Sequence, residues 1–167
     1  MAETLLPQIL VDKAREVVEA NRKAARRLAV AESCTGGLVS AAITEIPGSS
    51  EVFEAGYVTY SNAAKISELH VSIDVVETFG AVSVATAWAM ARGALAASEA
   101  DVAVAITGIA GPGGGSPAKP VGTVVFALAE RNADPAKIVA DQRLFENENR
   151  AGVRLHAALT ALDLLIP

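Results

Sequence analysis

The sequence predicts an α/β domain in which a mixed sheet carries helices on both faces. Two patterns and the composition lead there. Short runs rich in Val, Ile and Ala alternate with longer stretches of helical periodicity. The last two strand-like runs are separated only by Asn132-Ala133-Asp134-Pro135, a loop short enough for a hairpin, which introduces antiparallel pairing. The chain is 51% hydrophobic but only 4% aromatic, so its core is built from Ala, Val, Leu and Ile. Such side chains suit close packing of helix on sheet.

Taken in order, residues from Leu5 to about Ala25 form a first helix, with Leu6, Ile9, Leu10, Lys13, Val17 and Val18 at helical spacing and one charge interrupting the stripe. Leu28 to Ala31 is a buried strand. Ser33-Cys34-Thr35-Gly36-Gly37 leads into a helix from Leu38 to Glu45, and Pro47-Gly48-Ser49-Ser50 is a turn. Phe53 to Tyr60 has strand composition. Ser61-Asn62 caps a short helix from Ala63 to Leu69, and another helix around Asp74 to Phe79 stops at Gly80. An Ala-rich helix covers Ser83 to Ser98, and Val102 to Ile106 is an apolar strand. A glycine-rich loop from Gly108 to Pro120 follows. Val121 to Ala129 and Lys137 to Phe145 are the hairpin strands, and Asn149 to Ile166 is a last helix with Val153, Ala157, Leu164 and Leu165 toward the core.

The 167 residues fit one domain, 1–167, with one full core. A formal net charge of −5 argues against a nucleic-acid binder, and the basic cluster Arg22, Lys23, Arg26 and Arg27 is read as a solvated helix end. One cysteine, Cys34, allows no internal disulfide, and no Cys or His cluster has zinc spacing. The opening Met-Ala-Glu-Thr-Leu-Leu-Pro lacks the layout of a signal peptide. The apolar region from Ala81 to Gly111 is interrupted by Arg92, Glu99 and Asp101, too often to span a membrane. The expected setting is the cytoplasm, without membrane or nucleic-acid partner. The oligomeric state stays open, a homo-oligomer included.

Ligands of open α/β sheets bind beyond the carboxyl ends of strands. Three segments leave strands with polar or glycine-rich residues: Glu32 to Gly37, Tyr60 to Lys65 and Thr107 to Gly115. Ser33, between a strand and a helix start, is either an N-cap or a nucleophile on a tight turn, whose following N–H groups stabilise an oxyanion or bind phosphate. Gly36 and Gly37 would let a ligand approach. Lys65 is either a surface lysine or the base of a Ser-Lys pair, since His70 and His156 lie outside the polar motifs. Cys34 is a buried core thiol or an alternative nucleophile. Ser116-Pro117-Ala118-Lys119 fits S-x-x-K, but in a Gly/Pro loop and not on a helix, so it is set aside. No P-loop and no complete dinucleotide fingerprint occurs, which disfavours a nucleotide-dependent oxidoreductase.

Five segments together carry a resemblance. They are Ala31-Glu32-Ser33-Cys34-Thr35-Gly36-Gly37, Gly56 to Lys65, Gly80-Ala81-Val82-Ser83, Thr107 to Gly114, and Lys119-Pro120-Val121-Gly122-Thr123-Val124. In this order they resemble the CinA C-terminal domain family, whose stand-alone members are PncC-type nicotinamide-nucleotide amidases. The resemblance covers the chain from Ala29 onward. It implies a three-layer α/β/α sandwich with a mixed, mostly parallel sheet, and hydrolysis of nicotinamide mononucleotide to nicotinate mononucleotide and ammonia, with no cofactor and no metal. It further implies Ser33 as nucleophile with Lys65 and Tyr60 as partners. Thr107 and an arginine near the last helix, Arg150 or Arg154, belong to the implied site. Arg150 fits the family position better, although Glu146-Asn147-Glu148-Asn149 stands where members often carry Gly-Asp-Arg. Cys34, Thr35, Gly36, Gly37, Gly113 and Arg150 are the expected substrate contacts. The rival reading is a nucleotide-binding module without catalysis, linked to competence or DNA damage.

Overall fold

A computed structural model of the chain describes residues 4–167, so the first three residues of the opening segment lie outside the described residues. Five strands form one sheet in the order β2-β1-β3-β4-β5. They are β1 (Leu28–Glu32), β2 (Phe53–Val58), β3 (Val102–Gly108), β4 (Thr123–Glu130) and β5 (Ala140–Leu144). The pairs β1–β2 and β1–β3 are parallel, and β3–β4 and β4–β5 are antiparallel. Four strands therefore run one way and only β4 runs against them. The expected hairpin is β4–β5, with Ala127 opposite Ala140 and Thr123 opposite Leu144.

Six helices sandwich the sheet: α1 (Gln8–Lys23), α2 (Leu38–Thr44), α3 (Asn62–Leu69), α4 (Ile73–Phe79), α5 (Val84–Ala96) and α6 (Arg150–Leu164). Side chains alternate across a strand, so the central strands feed two cores. Leu28, Val30, Val102, Val104, Ile106, Val124 and Phe126 face α1, α2 and α6. Ala29, Ala31, Ala103, Ala105, Ala127 and Ala129 face the other layer, which α5 dominates. The small face lets α5 lie close, and Gly93 of α5 sits so near the backbone of Leu69, the last residue of α3, that a Cβ there would collide with the Leu69 carbonyl.

The structure differs from the expected elements mainly at their ends. The first helix starts at Gln8, because Pro7 takes an extended conformation just before it. Ile9, placed on the expected apolar stripe, is 57% exposed, and Val11 and Ala14 are buried in its stead. The expected turn at Pro47–Ser50 runs into a 3-10 turn at Ser49–Glu51. The basic cluster is partly engaged: Arg22 pairs with Glu51, Arg27 pairs with Glu54, and Arg26 donates to the Leu165 carbonyl. No helix among the described residues is long and apolar enough to cross a membrane.

Candidate active site

The three adjacent strands β2, β1 and β3 are mutually parallel, so their carboxyl ends open on the same edge of the sheet. A cavity of about 280 Å³ lies there. It is lined by Ser33 and Cys34 after β1, by Tyr60, Asn62 and Lys65 after β2, and by Thr107 to Gly111 at the end of β3. Gly113 and Gly114 of the glycine-rich loop, Ala81 and Val82 of the α4–α5 loop, and Arg150 at the start of α6 close it.

Ser33 is fixed by its backbone. Its N–H donates to the Ile106 carbonyl at 2.9 Å, which prolongs the β1–β3 pairing by one residue. Its own carbonyl accepts from Gly36 N at 3.0 Å, which closes a tight turn. It is not an N-cap: α2 starts after Gly37, with no side-chain cap. The Ser33 hydroxyl instead meets Lys65, whose Nζ lies 3.0 Å from Oγ.

Lys65 reaches Ser33 because β2 passes directly into α3. Ser61 caps that helix by accepting from Ala64 N at 3.0 Å. Lys65 lies just beyond the first turn and points inward, 1% exposed. Its Nζ donates to the Thr59 carbonyl at 2.8 Å and the Tyr60 carbonyl at 3.4 Å. Burial pushes its pKa below the ordinary lysine value, because the charged form loses hydration. A neutral amine at this place would keep two N–H groups for the two carbonyls and turn its lone pair to the serine hydroxyl.

Glu32, whose role the sequence did not reveal, is a fully buried carboxylate. It accepts from Thr35 Oγ1 at 2.7 Å, Val39 N at 2.9 Å, Ser40 N at 3.0 Å and Ser40 Oγ at 2.7 Å. Its negative charge thus compensates the N-terminus of α2, not Lys65. The signal available in the sequence was an acidic residue ending an otherwise apolar strand.

That arrangement changes the meaning of Thr35, Gly36 and Gly37, none of which lines the cavity. The Thr35 side chain is spent on Glu32, and Gly36 N is spent on Ser33. Gly36 and Gly37 have φ of +59° and +96°, conformations that glycine adopts without strain. Their small size is therefore already required by the path of the chain. Cys34, Thr107, Gly113 and Arg150 do line the cavity. Thr107 Oγ1 donates to the Ala81 carbonyl at 2.9 Å, which ties β3 to the α4–α5 loop. Tyr60 is 59% exposed, and its hydroxyl accepts from Arg150 at 2.8 Å, so its contact with Lys65 runs through its carbonyl. Burial pushes the Cys34 thiol up to about 11, which leaves it protonated and poorly nucleophilic at neutral pH.

Arg150 is the cation on the cavity lining, and no Asp or Glu lines it among the described residues. Arg150 also donates to the Gly111 carbonyl at 2.7 Å, which holds the guanidinium against the glycine-rich loop. Residues 11–167 match the family model for the CinA C-terminal domain. The chain belongs to the CinA C-terminal domain family. It is 50% identical over 140 residues to the nicotinamide-nucleotide amidohydrolase PncC of Pseudomonas putida, covering 84% of each chain. It is likewise 50% identical over 142 residues to a CinA-like protein of Mycolicibacterium vanbaalenii, covering 85% of this chain but 33% of that protein. The chain thus spans about a third of the longer CinA relatives and most of the shorter amidohydrolases. The crystal structure of the competence/damage inducible protein CihA from Agrobacterium tumefaciens superposes with a TM-score of 0.92 at 45% identity, covering 98% of this chain and 97% of that one. Five strands and six helices in three layers are thus the CinA C-terminal fold.

Proposed function

We propose that this chain is a nicotinamide-nucleotide amidohydrolase that converts nicotinamide mononucleotide to nicotinate mononucleotide and ammonia. The observation that carries the reading is the Ser33–Lys65 pair, 3.0 Å apart in a cavity whose mouth holds Arg150. The half-identical amidohydrolase of Pseudomonas putida supports the substrate.

An amide is a poor electrophile and needs an activated nucleophile, an oxyanion site and a proton for the leaving amine. Neutral Lys65 takes the Ser33 proton as Oγ attacks the amide carbon. The carbonyl oxygen becomes an oxyanion facing the Cys34 N–H. The intermediate collapses, Lys65 returns the proton to the leaving nitrogen, and ammonia departs from a nicotinoyl ester on Ser33. Water then attacks that ester and gives its proton to Lys65, Lys65 returns it to Ser33 Oγ as the ester bond breaks, and the nicotinate product leaves as its carboxylate with release of one proton. The chain's own side chains and backbone suffice for each step. The setting we assign is the cytoplasm, where the phosphate charge retains such mononucleotides.

The phosphate is assigned to Arg150 and the N–H groups of the loop at Gly113 and Gly114. The N-terminus of α2, the other candidate, is taken by Glu32. Arg150→Ala is expected to raise KM for nicotinamide mononucleotide at least about tenfold, in the range of a lost charge-assisted contact. The unphosphorylated riboside should be hardly affected. Steady-state kinetics on both substrates check this, and equal losses would remove Arg150 from the phosphate.

Cys34→Ala is expected to keep kcat within a fewfold of the wild type, because its protonated thiol takes no part. An inactive Cys34→Ala beside an active Ser33→Ala would reverse the assignment. The test of the whole reading is ammonia release from nicotinamide mononucleotide by the purified chain. Tight binding of the nucleotide without ammonia would favour a binding module.

A further inference from the structure

The two arginines of α6 do different work. Arg150 and Arg154 lie one helical turn apart, yet only Arg150 lines the cavity. Arg154 instead grips the outside of the turn that carries the nucleophile. Its Nε donates to the Cys34 carbonyl at 3.1 Å and its Nη2 to the Thr35 carbonyl at 3.1 Å. The grip is close: a Cβ on Gly36 would lie 3.4 Å from Arg154 Nη2.

We infer that Arg154 is a positioning residue for amide hydrolysis, holding and polarising the Ser33 turn so that its backbone N–H groups meet the oxyanion; the inference rests on the amidase reading above. A trans peptide sets its N–H opposite its C=O. The Cys34 carbonyl on Arg154 therefore turns the Thr35 N–H away from α6. The Ser33 carbonyl on Gly36 N likewise turns the Cys34 N–H away from Gly36. Neither the Cys34 nor the Thr35 N–H has a backbone partner in this turn among the described residues. Cys34 is the one that borders the cavity beside Ser33. Arg154 on the Thr35 carbonyl also makes the Gly36 N–H, the other end of that peptide unit, a stronger donor to the Ser33 carbonyl, and so strengthens the Cys34 N–H in turn, because hydrogen bonds in series polarise one another. Arg154 thus acts through the backbone and never touches substrate.

The experiment compares Arg154→Gln, which keeps a donor but loses the charge, with Arg154→Lys and Arg154→Ala. The readouts are kcat and KM for nicotinamide mononucleotide, Ki for nicotinate mononucleotide, and the melting temperature. Expected is a fall in kcat of roughly 10- to 100-fold in Arg154→Gln, short of the loss from deleting a whole oxyanion donor. KM and Ki should stay within about twofold, as for an interaction made mainly in the transition state. Arg154→Lys should lie in between, and added guanidinium chloride at millimolar concentration should restore part of kcat in Arg154→Ala. A raised KM and Ki with kcat retained would make Arg154 a substrate contact and overturn the proposal. So would unchanged kcat in folded variants, or activity losses that only follow the unfolded fraction. Should Arg154→Gln fail to fold, the lysine variant and the guanidinium rescue decide. A wild type that releases no ammonia removes the amidase reading itself. Hydrogen exchange of the Cys34 and Thr35 amides, faster in Arg154→Gln, then reports separately whether Arg154 holds the turn.

Discussion

Ser33→Ala is expected to lower kcat for nicotinamide mononucleotide by about 10³-fold or more and to leave the protein folded. The magnitude follows from the behaviour of serine nucleophiles in other hydrolases, where the residual rate comes from binding and the oxyanion site alone. Retention of the fold follows from what holds this residue. The backbone of Ser33 is fastened by Ile106 and Gly36, and alanine keeps both bonds. The hydroxyl contributes the contact with Lys65. Losing it removes one partner of an amine that still serves the Thr59 and Tyr60 carbonyls. The variant should therefore melt within a few degrees of the wild type and bind nicotinate mononucleotide about as well. Ammonia release, calorimetric melting and product titration check the three parts. Turnover near that of the wild type would end the assignment of Ser33.

The second large effect is on Lys65. Lys65→Arg is expected to be inactive, because a guanidinium stays protonated and cannot take the serine proton. In the wild type, kcat/KM should rise with pH on a single deprotonation, at a pH below that of an ordinary lysine, in the direction that burial dictates. The same shift governs stability. A buried lysine with a lowered pKa holds fewer protons in the folded state than in the unfolded chain. Unfolding free energy then rises with pH between the folded value and the unfolded value near ~10.4, by up to about 1.4 kcal/mol per pH unit. That contribution is complete above the unfolded pKa and is lost as pH falls through the folded one. Lys65→Met removes the titration, so its stability curve should be flatter over this window. Parallel curves for the two proteins, or substantial activity in Lys65→Arg with an unmoved rising limb, would strip Lys65 of the base role and pass it to Tyr60.

Much of this molecule is legible in its sequence because its elements are locally encoded. Leu28 to Ala31 and Val102 to Ile106 are uninterrupted apolar runs, which only a doubly covered strand tolerates, and both are central strands of the sheet. Ser61 and Ser83 cap helices where the chain leaves apolar runs. The segments that meet in the cavity could be named in advance because strand ends in such sheets converge. What could not be read were bonds that depend on three-dimensional approach. Arg154 meets Cys34 across 120 residues, and Arg150 meets Tyr60 across 90. Nothing in the spacing of two arginines on one helix face says which enters the cavity. The glycines at 36 and 37 are ambiguous for a related reason: a ligand site and a left-handed backbone ask for the same residue. A buried carboxylate such as Glu32 becomes intelligible only once its four donors are known.

The alanine face beneath α5 has a consequence for how this protein can change over generations. Its six alanines offer almost nothing to trim, so nearly every replacement adds bulk and lifts α5. Through the tight meeting of Gly93 with Leu69, a lifted α5 drags the helix that carries Lys65. Drift in that layer is therefore felt at the Ser33–Lys65 pair. Novelty has to enter from the rim, where Gly113 is exposed and free of such crowding. Descendants of this domain should keep a frozen floor and a variable mouth, altering what the cavity admits long before they alter the pair at its base.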